Sequence, residues 1–140
     1  MAIIYPPIDV IKKYKRQPTT GEWELLNFLS DNLDSKYEIF FQPYLNGDRP
    51  DIILFREKAG IVVFEVKDWN LNSYRINRDG DWSLKSNNQK VKSPVEQVNT
   101  YKNNLVTLHI EGLLFDTFRD KRTWAIANSC LFFSKSTQRE

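Results

Sequence analysis

The chain is predicted to be an α/β protein in which helices flank a central mixed β-sheet, and three observations predict it. Two amphipathic helical patterns, at about residues 20–33 and from Ser93 onward, bracket the densest run of strand formers. That run, Asp51-Ile52-Ile53-Leu54-Phe55 and then Gly60-Ile61-Val62-Val63-Phe64-Glu65-Val66-Lys67, is apolar at nearly every position, as expected of strands covered on both faces. A final apolar segment, residues 124–133, follows the second helix and supplies another buried strand.

Thr19-Thr20-Gly21-Glu22 has the form of a capping box, and Leu25, Leu26, Leu29 and Leu33 repeat at helical spacing behind it. Tyr37 to Phe41 is rich in strand formers and is read as running on toward Leu45, before the turn-prone Asn46-Gly47-Asp48. The two hairpin strands are divided by Arg56-Glu57-Lys58-Ala59, with Gly60 free to take an unusual backbone angle. Tyr74-Arg75-Ile76 and Trp82-Ser83-Leu84 form a second, more polar hairpin, expected toward one edge of the sheet. Ser93-Pro94-Val95-Glu96 is another capping box, with proline at the first helical position and Val98, Tyr101, Leu105 and Leu108 as the buried stripe.

With 140 residues the chain is read as one domain, and 41% hydrophobic with 27% charged residues argues against disorder. A net charge of +2 gives no strong polyanion-binding field. Its distribution is less even: Lys12, Lys13, Lys15 and Arg16 form a basic run, and Lys85, Lys90 and Lys92 dot a polar segment, both read first as solvated surface rather than nucleic-acid contact. A lone Cys130 excludes an intrachain disulfide framework, and a lone His109, read as structural, excludes a multi-histidine zinc site. The cysteine usage, with no signal-peptide pattern and no long apolar span, points to a cytoplasmic protein that does not enter a membrane.

The chemistry lies in the apolar hairpin. If Phe55 pairs with Ile61, then Ile53 meets Val63 and Asp51 meets Glu65, about 5 Å apart on one face. Lys67 joins that face because strand side chains alternate. A slip of one residue would send Asp51 to the other face, so the reading depends on the register. Asp51, Glu65 and the Val66 carbonyl offer hard oxygen ligands to Mg²⁺, and Lys67 can orient or help deprotonate a water. Another acid-x-lysine triplet, Asp34-Ser35-Lys36, falls in a polar turn, where no burial of charge asks for an explanation.

Glu22 lies on the apolar stripe of its helix and has two readings, a further metal ligand or the reciprocal half of the Thr19 cap. Gln97, on the edge of the second helix's stripe, is expected to orient Lys67 or the water, against ordinary helix-to-sheet hydrogen bonding. Asn77, Asp79 and Asp81 alternate like calcium-loop ligands, but their glycine is misplaced, which favours a plain turn. Trp69, Tyr74 and Trp82 are read as packing before base stacking.

In these pieces the chain resembles the nuclease-related domain, within the PD-(D/E)xK nuclease superfamily. The resemblance rests on Gly21-Glu22, Arg49-Pro50-Asp51, Gly60-Ile61 leading to Phe64-Glu65-Val66-Lys67-Asp68-Trp69, and Ser93-Pro94 with Gln97, over about residues 20–133. It implies a restriction-endonuclease-like core. It also implies metal-dependent DNA cleavage, with Glu22, Asp51, Glu65, Lys67 and Gln97 at the motif positions and Asp51, Glu65, Val66 and Glu22 toward Mg²⁺, for which Mn²⁺ can substitute. The implied partners are DNA and a superfamily I helicase of the UvrD/Rep type, in DNA repair or processing, with this chain as the N-terminal domain of a longer protein. No Gly-x-x-x-x-Gly-Lys phosphate loop is present. One departure is Asn70-Leu71-Asn72 where the family often has a glycine turn; asparagine tolerates similar angles. The alternative function is a nuclease-like module that binds DNA or docks a helicase without cutting.

Overall fold

Thr19 opens the first long helix as its sequence implies. Its hydroxyl accepts from Glu22 N–H at 3.2 Å while the Glu22 carboxylate accepts from Thr19 N–H at 2.9 Å, so both halves of the capping box form. The computed structural model describes residues 1–44, 48–105 and 127–134. Along them run β1 (Ile3–Tyr5), α1 (Ile8–Ile11), α2 (Thr20–Asn32), β2 (Tyr37–Phe41), β3 (Ile52–Arg56) and β4 (Gly60–Lys67). A 3-10 turn at Leu71–Ser73, β5 (Tyr74–Ile76), β6 (Trp82–Leu84), β7 (Lys90–Val91), α3 (Pro94–Asn104) and β8 (Ala127–Phe133) follow. Leu108, His109, Gly112, the Asn46-Gly47 turn and positions 124–126 of the final strand lie outside the described residues.

The main sheet has the order β1-β2-β3-β4-β8 and is mixed: the two outer pairings, β1 with β2 and β4 with β8, are parallel, and the two inner ones are antiparallel. It is an α/β arrangement in keeping with a restriction-endonuclease-like core. The hairpin strands are central, and alternation along them feeds two cores. Ile52 and Val66 pack with Leu25, Leu26, Leu29, Ile39 and Ile11 on the α2 side, whereas Ile53 and Val63 pack with Val98 and Leu105 on the α3 side. Covering on both faces explains why β3 and β4 lack the alternation of a half-exposed sheet. Among the described residues no helix is long and apolar enough to cross a membrane.

The structure departs from the sequence reading in several places. Strand β1 and helix α1 are additional, and the strand read as reaching toward Leu45 stops at Phe41, because Gln42 turns to φ 45°. The polar hairpin β5–β6 does not extend the main sheet; with β7 it forms its own three-stranded sheet. Trp82 fastens it, stacked on Phe133 at 6.0 Å between centroids, and Trp69 stacks on Tyr74 at 4.4 Å, so these aromatics are spent on packing. Asn77 closes the β5–β6 turn by accepting from Asp79 N–H and Asp81 N–H, both at 2.9 Å, as a plain turn would. After Lys67, Asn70 keeps an ordinary φ of −81° and its side chain accepts from Asn72 N–H, so the chain turns without left-handed backbone. At α3, Ser93 accepts from Glu96 N–H and Pro94 fills the first position.

Candidate active site

The register on which the site depends is Phe55 opposite Ile61 and Ile53 opposite Val63, as the apolar pattern and the short turn require. Asp51 lies one residue beyond the last β3 pair, and two bonds fix it. Its carbonyl accepts from Gln42 N–H at 2.8 Å, and its Oδ2 accepts from Val66 N–H at 2.7 Å. A strand residue sends its N–H and C=O to the same side, so the Val66 carbonyl also projects toward Asp51.

Glu65 is buried at 3% exposure, and its Oε1 is 3.2 Å from Lys67 Nζ. Its Oε2 is buried without a hydrogen-bond partner. Lys67 Nζ also lies 5.3 Å from the centre of the Trp69 ring. Burial and the neighbouring Glu65 raise the Asp51 pKa to about 7, against the pull of the Val66 N–H bond and Lys67. Burial likewise raises Glu65, with Lys67 opposing.

That donor set fits a hard cation. Two adjacent carboxylates, one with an unsatisfied buried oxygen, and a backbone carbonyl on the same side are what Mg²⁺ takes while keeping several waters. Among the described residues no three His, Cys, Asp or Glu side chains converge into a ready-made metal cluster, so protein ligands alone do not complete a shell.

Glu22 is where its two readings meet. Buried at 8% exposure, it completes the cap through Oε2, and Oε1 accepts from Gln42 Nε2 at 3.4 Å. Its charge is nonetheless near enough to push the pKa of both Asp51 and Glu65 upward. Glu22, Gln42 and Asp51 line one open cleft of about 400 Å³, with Lys15, Arg16 and Arg49 along it. Gln97 stands apart: its Nε2 donates to Tyr101 Oη at 3.2 Å, within its own helix.

Sequence reasoning gave no role to Gln42, Asp68 and Ser134. The Asp68 carboxylate accepts from Gly21 N–H at 3.0 Å and from the Ser134 hydroxyl, tying the start of α2 to the ends of β4 and β8. A Cβ on Gly21 would run into that carboxylate and lie 2.9 Å from Ser134 Cβ, so the close approach requires glycine. Glu22 is the next residue, and this clamp sets its position. Gly21 and Asp68 both flank motif residues, the one signal that could have drawn attention to them.

Comparison with protein-family models matches residues 17–127 to the nuclease-related domain. The chain belongs to that family. No curated protein and no solved structure matches it. The nuclease-related match takes in Glu22, Asp51, Glu65, Lys67 and Gln97, and it begins after β1, α1 and the Lys15–Arg16 turn.

Proposed function

We propose that this nuclease-related domain is a Mg²⁺-dependent deoxyribonuclease that hydrolyses phosphodiester bonds, with Mn²⁺ able to substitute. One observation carries the reading: Asp51 and Glu65 are held against each other at the end of a buried hairpin, with Lys67 paired to one Glu65 oxygen and the other oxygen unpartnered. Asp51, Glu65 and the Val66 carbonyl would hold the ion, with Glu22 adding negative charge from the cleft side. When bound, the ion supplies Lewis-acid stabilisation of the phosphate and a lowered pKa for water.

The chain's own groups divide the remaining work. Val66 N–H fixes the Asp51 carboxylate through Oδ2, which removes its freedom to swing away. Lys67 Nζ, on the Glu65 face of the strand, orients the attacking water and faces the charge that develops on phosphate. Water adds to phosphorus as the bond from phosphorus to the leaving sugar oxygen breaks; the attacking water gives its proton to solvent, and the leaving oxygen takes one up from solvent. Gln97 is a helper one step removed, since its amide is engaged by Tyr101. A role in DNA repair or processing beside a superfamily I helicase rests on the family resemblance alone.

The test is cleavage of linear and circular, single- and double-stranded DNA with Mg²⁺ and Mn²⁺. Cleavage that persists unchanged in Lys67→Ala and Asp51→Ala would sink the proposal. A non-catalytic module that binds DNA or docks a partner is the second reading, favoured by the missing third ligand among the described residues and by the engagement of both Glu22 oxygens. Salt-sensitive DNA binding with no cleavage in either metal would select it.

A further inference from the structure

The basic run read from sequence as solvated surface is not uniform in the fold. Lys15 and Arg16 line the cleft that contains Glu22 and Asp51, and Arg49, two residues before Asp51, lines it as well. All three side chains are exposed, and none is ion-paired to a described carboxylate. Lys12 and Lys13 are exposed too but do not line the cleft.

The turn carrying Lys15 and Arg16 is pinned. Gln17 Nε2 donates to the carbonyls of Tyr14 at 2.7 Å, Lys12 at 3.0 Å and Ile11 at 3.4 Å. Ile11 is fully buried in the α2-side core, and Tyr14 packs against the same cluster. A turn held at both its backbone and its apolar side presents its cations with little ordering left to lose on binding.

We propose that Lys15, Arg16 and Arg49 bind the phosphodiester backbone of the DNA strand that enters the cleft toward Asp51. This rests on the reading of the chain as a DNA-processing domain and adds where the strand lies. The charge pattern favours such an occupant: three exposed cations line the cleft and suit a polyanion, and a divalent cation at Asp51 would offset the carboxylates that line it with them. Lys15 and Arg16 come from the segment ahead of the matched family span, residues 17–127, on the turn that follows the N-terminal strand and helix.

The test measures binding of a fluorescein-labelled DNA oligonucleotide, single-stranded and duplex, with Ca²⁺ present, across a salt series. Chains carrying Lys15→Gln with Arg16→Gln are compared with chains carrying Lys12→Gln with Lys13→Gln, which lose the same charge. Losing two phosphate contacts lowers the slope of log K against log salt by about 1.4 to 1.8 and weakens binding about tenfold. The Lys12/Lys13 pair changes the slope by less than half of that, and Arg49→Gln behaves like removal of one contact. Where DNA is cut, the Lys15/Arg16 pair raises KM and leaves kcat within about twofold. Equal losses in both pairs, an unchanged slope in the Lys15/Arg16 pair, or no DNA binding by the unaltered chain would overturn the proposal. Absence of cleavage with the slope difference intact would overturn only the nuclease reading.

Discussion

Asp34-Ser35-Lys36 and Glu65-Val66-Lys67 are the same pattern of acid, spacer and lysine placed in two environments. In the turn after α2 the Asp34 carboxylate bends back to accept from Lys36 N–H at 2.9 Å and stays exposed to water. At the end of β4 the strand's alternation puts Glu65 and Lys67 side by side, and burial removes water from the acid. Spacing creates the pair in both places, but only burial makes it chemically unusual. An acid-x-lysine triplet is therefore informative to the extent that its carboxylate has lost its solvent.

The largest effect expected from this contrast is on catalysis. Lys67→Ala and Asp51→Ala should each lower Mg²⁺-dependent DNA cleavage about 10²–10⁴-fold, while Asp34→Ala and Lys36→Ala leave it within about twofold; initial rates on a labelled duplex check this. Equal effects in both triplets would erase the distinction.

Next in size is stability. Gly21→Ala forces a side chain against Asp68 and Ser134 and should cost about 1–3 kcal/mol in urea unfolding, with activity falling along with it because Glu22 shifts. Ser35, the spacer in the exposed triplet, tolerates alanine within about 0.5 kcal/mol.

The pH dependence separates the triplets in a third way. The folded-state pKa of Asp51, about 7, lies above its ordinary value of 3.8, so between those values the folded chain binds more protons than the unfolded chain. Stability without metal is therefore full at the acid end of this window and is lost as pH rises through about 7, by about 1–3 kcal/mol. Thermal melts from pH 5 to pH 8 should show the fall, and Asp51→Asn should flatten it. Mg²⁺ should raise the melting temperature more at pH 8 than at pH 6, because at the lower pH a proton competes for the same oxygens.

The smallest effect tests the helper. Gln97→Ala should lower cleavage less than tenfold, since its amide is already held by Tyr101, and Gln97→Glu should do no worse. A loss as large as that of Lys67→Ala would place Gln97 in the reacting centre.

Much of the fold was legible because its signals are local. The Thr19 and Ser93 caps mark helix starts, and the polar break before Gly60, which adopts φ 136°, sets the hairpin's turn. Strand β1 escaped because three residues are too few to show a period, and it pairs with a strand more than thirty positions away. The small sheet was misplaced because its anchor, Trp82 on Phe133, spans the interval between β6 and β8. Asp68 and Gln42 were equally invisible, since each acts through a contact with the start of α2.

By itself the sequence determined which charges exist, their alternation on β4 and, through the apolar pattern and the length of the turn, the register that brings Asp51 to Glu65. These are properties of neighbouring residues and of a hairpin closed by a short loop. Only the tertiary structure decided that Glu65 Oε2 has no partner, that the Asp51 carboxyl titrates near neutrality, and that Lys15 and Arg16 stand along the cleft while Lys12 and Lys13 do not. Desolvation depends on what covers a group, and a cleft on which distant segments meet. Neither is written in the spacing of residues along the chain.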